Sequence, residues 1–178
     1  MLVGLSIFFL SATCEGPKTK EASDVNAPQY VVNGKLFIIE PYCGGAAPPR
    51  DKRINEAMPF ANQELFIKFG NENDANAEGL IPIKTLEDGS FELKLPKGTY
   101  CLIRDYKNQA LEDFLKQFNK EYDRFYIKQG KECYEKWWKS CDLSFEVTEE
   151  GATLEHSFRK RCFVGENPCI EYNGPMPP

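Results

Sequence analysis

Residues 80–104 constrain the fold more than any other stretch, because two strand patterns there turn back on one another. Phe91, Leu93 and Leu95 alternate with Glu92 and Lys94, so one face of the strand is apolar and the other wet. Asp88-Gly89 stands just before it, a two-residue hairpin signal because Gly tolerates positive φ. Residues 80–86 form the preceding arm, and Pro96-Lys97-Gly98 turns the chain into a further strand at 99–104. Comparable runs flank this hairpin. Residues 30–40 are β-rich and end at Pro41, and Leu65, Ile67 and Phe69 share one face of 64–69. Leu143, Phe145 and Val147 alternate, and Glu149-Glu150-Gly151 turns into a last strand with Leu154, His156 and Phe158 on one parity. Polar or Gly/Pro-rich loops separate the runs at 44–56 and 71–78, and the tail from Asn173 to Pro178 is not regular structure. Several short strands punctuated by turns predict a β-sandwich.

Between residues 108 and 139 the period changes. Leu111, Phe114, Leu115, Phe118, Tyr122, Phe125 and Tyr126 recur at steps of three and four, one face of a helix over 108–129. Asn108 is the candidate N-cap and Gly130 the candidate stop. A shorter helix is expected over 131–139. A helical insert of this kind must cover a face or edge of a sheet to bury its aromatic stripe, and Phe118 is expected to lie on the sandwich.

Cysteine usage and the N-terminus together indicate export. Residues 1–13 carry no charge, contain Ile7-Phe8-Phe9-Leu10, and reach Ser11-Ala12-Thr13-Cys14. That apolar run is too short to cross a bilayer, which takes about 20 residues, and fits a secretory signal. Residues 15–28 are polar and cannot bury enough surface to order themselves, so they read as a tether. Residues 29–178 are one domain's worth of chain. Beyond Cys14 there are six cysteines: Cys43, Cys101, Cys133, Cys141, Cys162 and Cys169. An even count in an oxidising compartment predicts three disulfides. Local pairing would give Cys133–Cys141 and Cys162–Cys169 and leave Cys43 with Cys101, although Cys101 could meet the helical insert instead.

Two resemblances extend this reading. The segment ending at Cys14 resembles the lipobox of bacterial lipoproteins, which implies a lipidated Cys14 as the mature N-terminus and anchoring in the cell envelope. Thr85, Asp88-Gly89, Phe91, Leu93, Leu95-Pro96, Gly98-Thr99-Tyr100 and Leu102 resemble the signature of the carboxypeptidase regulatory-like domain. Gly34-Lys35-Leu36, and Pro59 with residues 62–67, are similar to that family's first two strands. The likeness covers residues 30–104 and implies a prealbumin-like Greek-key β-sandwich, here carrying the helical insert at about 108–139. It also implies a folding or interaction module whose catalytic partners, where they exist, lie in other domains.

Candidate chemistry is sparse. The formal charge is −5 and Arg159-Lys160-Arg161 is the only basic cluster, which argues against nucleic acid as a partner. His156 is the single histidine, and without paired short cysteine spacings neither zinc nor another cofactor is expected. It reads as a hydrogen-bonded histidine at a core edge. No H-E-x-x-H or G-x-S-x-G motif is present. Asp74-Ala75-Asn76-Ala77-Glu78-Gly79 echoes a calcium loop, but Thr85 stands where the bidentate Glu belongs, so a polar loop is expected. Gly44-Gly45 is too short to cradle a phosphate. Tyr134, Trp137 and Trp138 form the candidate binding patch, although adjacent helical residues point about 100° apart and core packing competes for one of the tryptophans. The expected function is a membrane-tethered, extracytoplasmic structural or interaction module rather than an enzyme. The alternative is an adhesin-like domain that binds a glycan or a protein through the aromatic insert.

Overall fold

The computed structural model describes residues 27–46, 55–74, 79–118 and 124–175. The expected leader, Cys14 and most of the expected tether lie outside the described residues. In chain order the elements begin with β1 (Gln29–Ile39), β2 (Ala57–Pro59), β3 (Glu64–Phe69), β4 (Ile81–Lys84), β5 (Ser90–Pro96) and β6 (Gly98–Arg104). A 3-10 turn at Asp105–Lys107 leads into α1 (Leu111–Phe118), β7 (Tyr126–Lys128) and α2 (Lys131–Lys139). Then come β8 (Leu143–Val147), β9 (Ala152–Arg159) and β10 (Ile170–Tyr172). The protein is a β-sandwich with a helical insertion.

The first sheet is organised around β1. Its residues 32–39 pair in parallel with β9, which takes up one flank. On the other flank residues 29–35 pair with β5 and residues 37–39 with β2, both antiparallel. β5 and β2 therefore lie end to end, and the changeover falls at Leu36. Leu36 N–H donates to Gly89 O, and Leu36 O accepts from Phe60 N–H, both at 2.9 Å. Gly89 has φ +80°, and a Cβ there would stand 2.3 Å from the Leu36 carbonyl oxygen, so the turn needs glycine twice over. The second sheet runs β4-β3-β6-β8, all antiparallel.

Alternation fills the space between the sheets. Val32, Leu36, Ile38, Phe91, Leu95 and Phe158 from the first sheet meet Leu65, Ile67, Tyr100, Leu102, Phe145 and Val147 from the second. The residues of the 80–104 signature have visible work. The Phe91 ring lies over Gly34, where any Cβ would collide with it. Thr85 Oγ1 accepts from Gln63 N–H and donates to Phe60 O, tying the β2–β3 corner to the turn by which β4 of the second sheet crosses to β5 of the first, where a hairpin was expected. Tyr100 OH donates to Pro96 O at 2.8 Å. Asp88 Oδ1 accepts from Ser90 N–H and Oγ–H, which holds its carboxyl below the usual range.

The insert departs from the expected single long helix. α1 is described as far as Phe118, and β7 occupies the end of the stripe, where Tyr126 pairs with Tyr172 of β10. Aromatic and β-branched residues at 125–127 suit a strand once a partner exists, and that partner lies more than forty residues on in sequence. Asn108 closes the 3-10 turn instead of capping α1, and Gly130 precedes α2 as its N-cap. Tyr122 and the Phe118 side chain lie outside the described residues. Leu111 joins Tyr134, Trp138, Val164, Cys169 and Ile170 in a second apolar cluster, distinct from the sandwich core. The outer face of the second sheet is closed as well, since Lys68, Cys101 and Ile103 are buried there. Lys68 Nζ donates to Asn73 Oδ1 at 2.8 Å, and Asn73 Nδ2 donates to the Trp138 carbonyl of α2 at 2.9 Å.

All six expected cysteines form three disulfides, but the local pairing is wrong. The bonds are Cys43–Cys162, Cys101–Cys141 and Cys133–Cys169. Cys133 lies in the first turn of α2 and Cys141 just beyond its end, and the helical rise from Cys133 to Lys139 alone is about 9 Å, beyond the reach of a disulfide. β1 and β9 are parallel, so the chain leaves both at the same end and brings Cys43 to Cys162 rather than to Cys101. Cys133–Cys169 joins α2 to the segment before β10 and closes a loop with a sequence separation of 36. Replacing this pair with serines should cost about 2–4 kcal/mol, largely through the freed unfolded chain. Urea unfolding of the double variant checks this, and an unchanged midpoint would refute it.

Candidate functional site

Where β6 ends, the chain passes from the sandwich into the insert, and charged residues are buried at that seam. Lys107 is 2% exposed and its ammonium lies 3.0 Å from Asp142 Oδ1. Its Nζ also donates to Ser140 O at 3.0 Å. Asp142 Oδ2 accepts the Arg104 backbone N–H at 2.8 Å, and its Oδ1 lies 3.5 Å from the Arg104 guanidinium. Arg104 pairs as well with Glu166 and reaches Tyr106 OH. The Arg104 guanidinium carbon sits 4.8 Å from the ring centroids of both Tyr106 and Phe158. Two cations thus share Asp142 and Glu166, the kind of pairing that keeps charge tolerable away from water.

Burial sets the protonation pattern. It lowers the Lys107 ammonium, and the Asp142 carboxylate opposes that shift. It raises the Tyr106 phenol far above its ordinary value, reinforced by Asp142. His156 is half-buried with its ring edge-on to Phe158 at 4.8 Å. Burial first, and the Arg104 charge second, lower its imidazole, so it is neutral at neutral pH. No hydrogen bond to its ring is found among the described residues. The cluster links the end of β6 to the segments that follow α2 and β9, and within it Arg104 Nε and Glu166 Oε1 are buried without a hydrogen-bond partner among the described residues.

Two clefts flank this cluster. The larger, about 520 Å³, lies between the sandwich and the insert. Tyr106, Phe114 and Trp137 line it from the insert; Phe60, Gln63 and Glu64 line it from the sandwich. Such a volume lies within the range of small-molecule sites. The smaller, about 290 Å³, is lined by His156, Arg159 and Lys107 among others, and shares Arg104, Trp137 and Glu166 with the first.

The expected aromatic patch divides. Tyr134 and Trp138 are buried in the second cluster, and only Trp137 reaches the clefts. All six cysteines are in disulfides, which removes them as thiolate nucleophiles. Residues 75–78 of the calcium-loop echo lie outside the described residues, while the Lys68 ammonium accounts for Asn73 Oδ1 and the Asp74 carbonyl beside it. Among the described residues no three His, Cys, Asp or Glu side chains converge on a metal site. Gly44 packs beside the Tyr42 ring. The Arg104–Lys107–Asp142–Glu166 cluster is not evident in the sequence. Its one usable signal is the cysteine spacing, because a Cys101–Cys141 bond sets Asp142 next to the end of β6.

No protein-family model matches this chain, and no curated protein does. Among solved structures it is similar to the Bacillus anthracis TIE protein, at 16% identity and a TM-score of 0.34, over 73% of this chain and 17% of that one. It is also similar to a DUF3823 family protein from Parabacteroides merdae, at 11% identity and a TM-score of 0.33, over 75% of this chain and 46% of that one. The chain spans less than half the length of either.

Proposed function

We propose that this chain is an exported, lipid-tethered interaction module without catalytic activity, built on a carboxypeptidase regulatory-like sandwich of the prealbumin type. The carrying observation is the set of three disulfides, which suit an oxidising compartment outside the cytoplasm. The uncharged leader ending at Cys14 supplies the route and the anchor. A coil over residues 15–28 has an r.m.s. reach of about 20 Å, enough to hold the sandwich clear of a membrane surface. Support for the family comes from Gly34 beneath Phe91, the buried Thr85 and the Tyr100–Pro96 bond. The ion pairing within the cluster and the oxidised cysteines favour binding over catalysis. Trp137 at the cleft favours a second reading within the same class, an adhesin-like domain for a glycan or a protein.

Metabolic labelling with a fatty acid tests the anchor. Label should enter the wild-type protein and be absent from Cys14→Ser, and equal labelling of both would end the lipoprotein reading.

A further inference from the structure

We infer that the larger cleft is a binding site for a neutral carbohydrate; this rests on the interaction-module reading and adds the ligand's chemical class. The lining combines two kinds of surface. Tyr106, Phe114 and Trp137 provide an aromatic wall, with Phe114 and Trp137 ring centroids 5.7 Å apart and Tyr106 5.8 Å from Trp137. Gln63, Glu64 and Asp105 provide exposed acceptors, and neither carboxylate makes an ion pair among the described residues. A sugar ring matches both surfaces: its C–H face packs on aromatic carbon while its hydroxyls donate to carboxylate and amide oxygens.

Charge decides against the other ligand classes. The Lys107 ammonium already sits 5.3 Å from the Trp137 ring centroid, and the Arg104 guanidinium lies over Tyr106. A cationic ligand would have to share Trp137 and Tyr106 with these cations, each of which already sits over one face of its ring. An acidic ligand would meet Glu64 and Asp105, while Lys160 at the same cleft is bonded to Glu40 and Arg104 to Asp142 and Glu166. A neutral polyhydroxylated ligand meets neither obstacle.

Calorimetric titration of the disulfide-intact protein with cellobiose, maltose, lactose and diacetylchitobiose tests this, with a uronic-acid oligomer and a chitosan oligomer as charged comparisons. At least one neutral disaccharide should bind saturably and the charged oligomers should not. Trp137→Ala should weaken that binding by about tenfold or more. Because Trp137 also packs internally, Gln63→Ala and Glu64→Ala serve as second variants. Both side chains are exposed, so each should weaken binding at an unchanged melting temperature. Preference for a charged oligomer, or no saturable binding of any neutral sugar, would overturn the ligand class. Sugar binding untouched by all three substitutions would overturn the site. If wild type and Trp137→Ala capture the same envelope protein equally while no sugar binds, the cleft inference fails and the interaction-module reading stands.

Discussion

Trp138→Ala should destabilise the protein by about 3–5 kcal/mol, and Trp137→Ala by far less. The two residues are neighbours on α2, yet they face different surroundings because successive helical side chains diverge by about 100°. Trp138 is 7% exposed, with its ring 4.8 Å from Phe114 and its indole N–H donating to Gln109 O at 3.1 Å. Truncation opens a cavity, strips Phe114 of a ring contact and leaves a carbonyl without its donor. Trp137 keeps one side toward the clefts and loses less on truncation. Urea unfolding with the disulfides intact makes the comparison. Equal losses would mean that Trp137 is as much a core residue as Trp138, and no loss in either would mean that the second apolar cluster adds nothing to stability.

The sandwich was largely legible because its signals are local. Phe91, Leu93 and Leu95 alternate, and Asp88-Gly89 turns the chain with Gly89 at positive φ. The turn carries it from β4 in the second sheet to β5 in the first instead of closing the expected hairpin, because β4 pairs with β3 and β5 with β1. α2 and β8 also fall at their expected positions. The failures share a cause, which is that they depend on partners distant in sequence. The stripe from Leu111 to Tyr126 satisfies helical spacing, but its last residues are claimed by β10. The disulfides follow β1 and β9 running in parallel, and α2 holding Cys133 and Cys141 apart. The separate second core follows from the same events. The C-terminal segment carrying Val164, Cys169 and Ile170 shows no periodic signal in the sequence, yet it completes the packing under α1 and α2. Within the candidate site, Trp137 was identifiable as an aromatic on a helix. Gln63, Glu64 and Asp105 were not, because they are ordinary polar residues until the fold sets them around one cleft.

Asp142→Ala should cost about 3–5 kcal/mol at neutral pH, since it strands buried cations without their shared counter-charge. Asp142 accepts from the Lys107 ammonium and the Arg104 backbone amide, and its side chain is 6% exposed. Lys107→Met is the informative contrast: it removes the buried cation and leaves Asp142 paired with Arg104, so its penalty should be smaller. The pH dependence separates a charge effect from a packing defect. In the fold, burial lowers the Lys107 pKa from its ordinary 10.5. Between the lowered value and 10.5 the unfolded chain binds more protons than the folded one, so the Lys107 contribution to stability rises with pH across that window. Without the Asp142 carboxylate, which pulls the other way, the folded pKa falls further and the window widens downward. The Asp142→Ala penalty should therefore shrink as pH climbs from neutral towards 10, because a neutral amine is cheaper to bury than an unpaired ammonium. Denaturant midpoints for wild type and variant across that range provide the measurement. A penalty independent of pH would assign the loss to the Arg104 amide bond and to packing, and would remove Lys107 from the account.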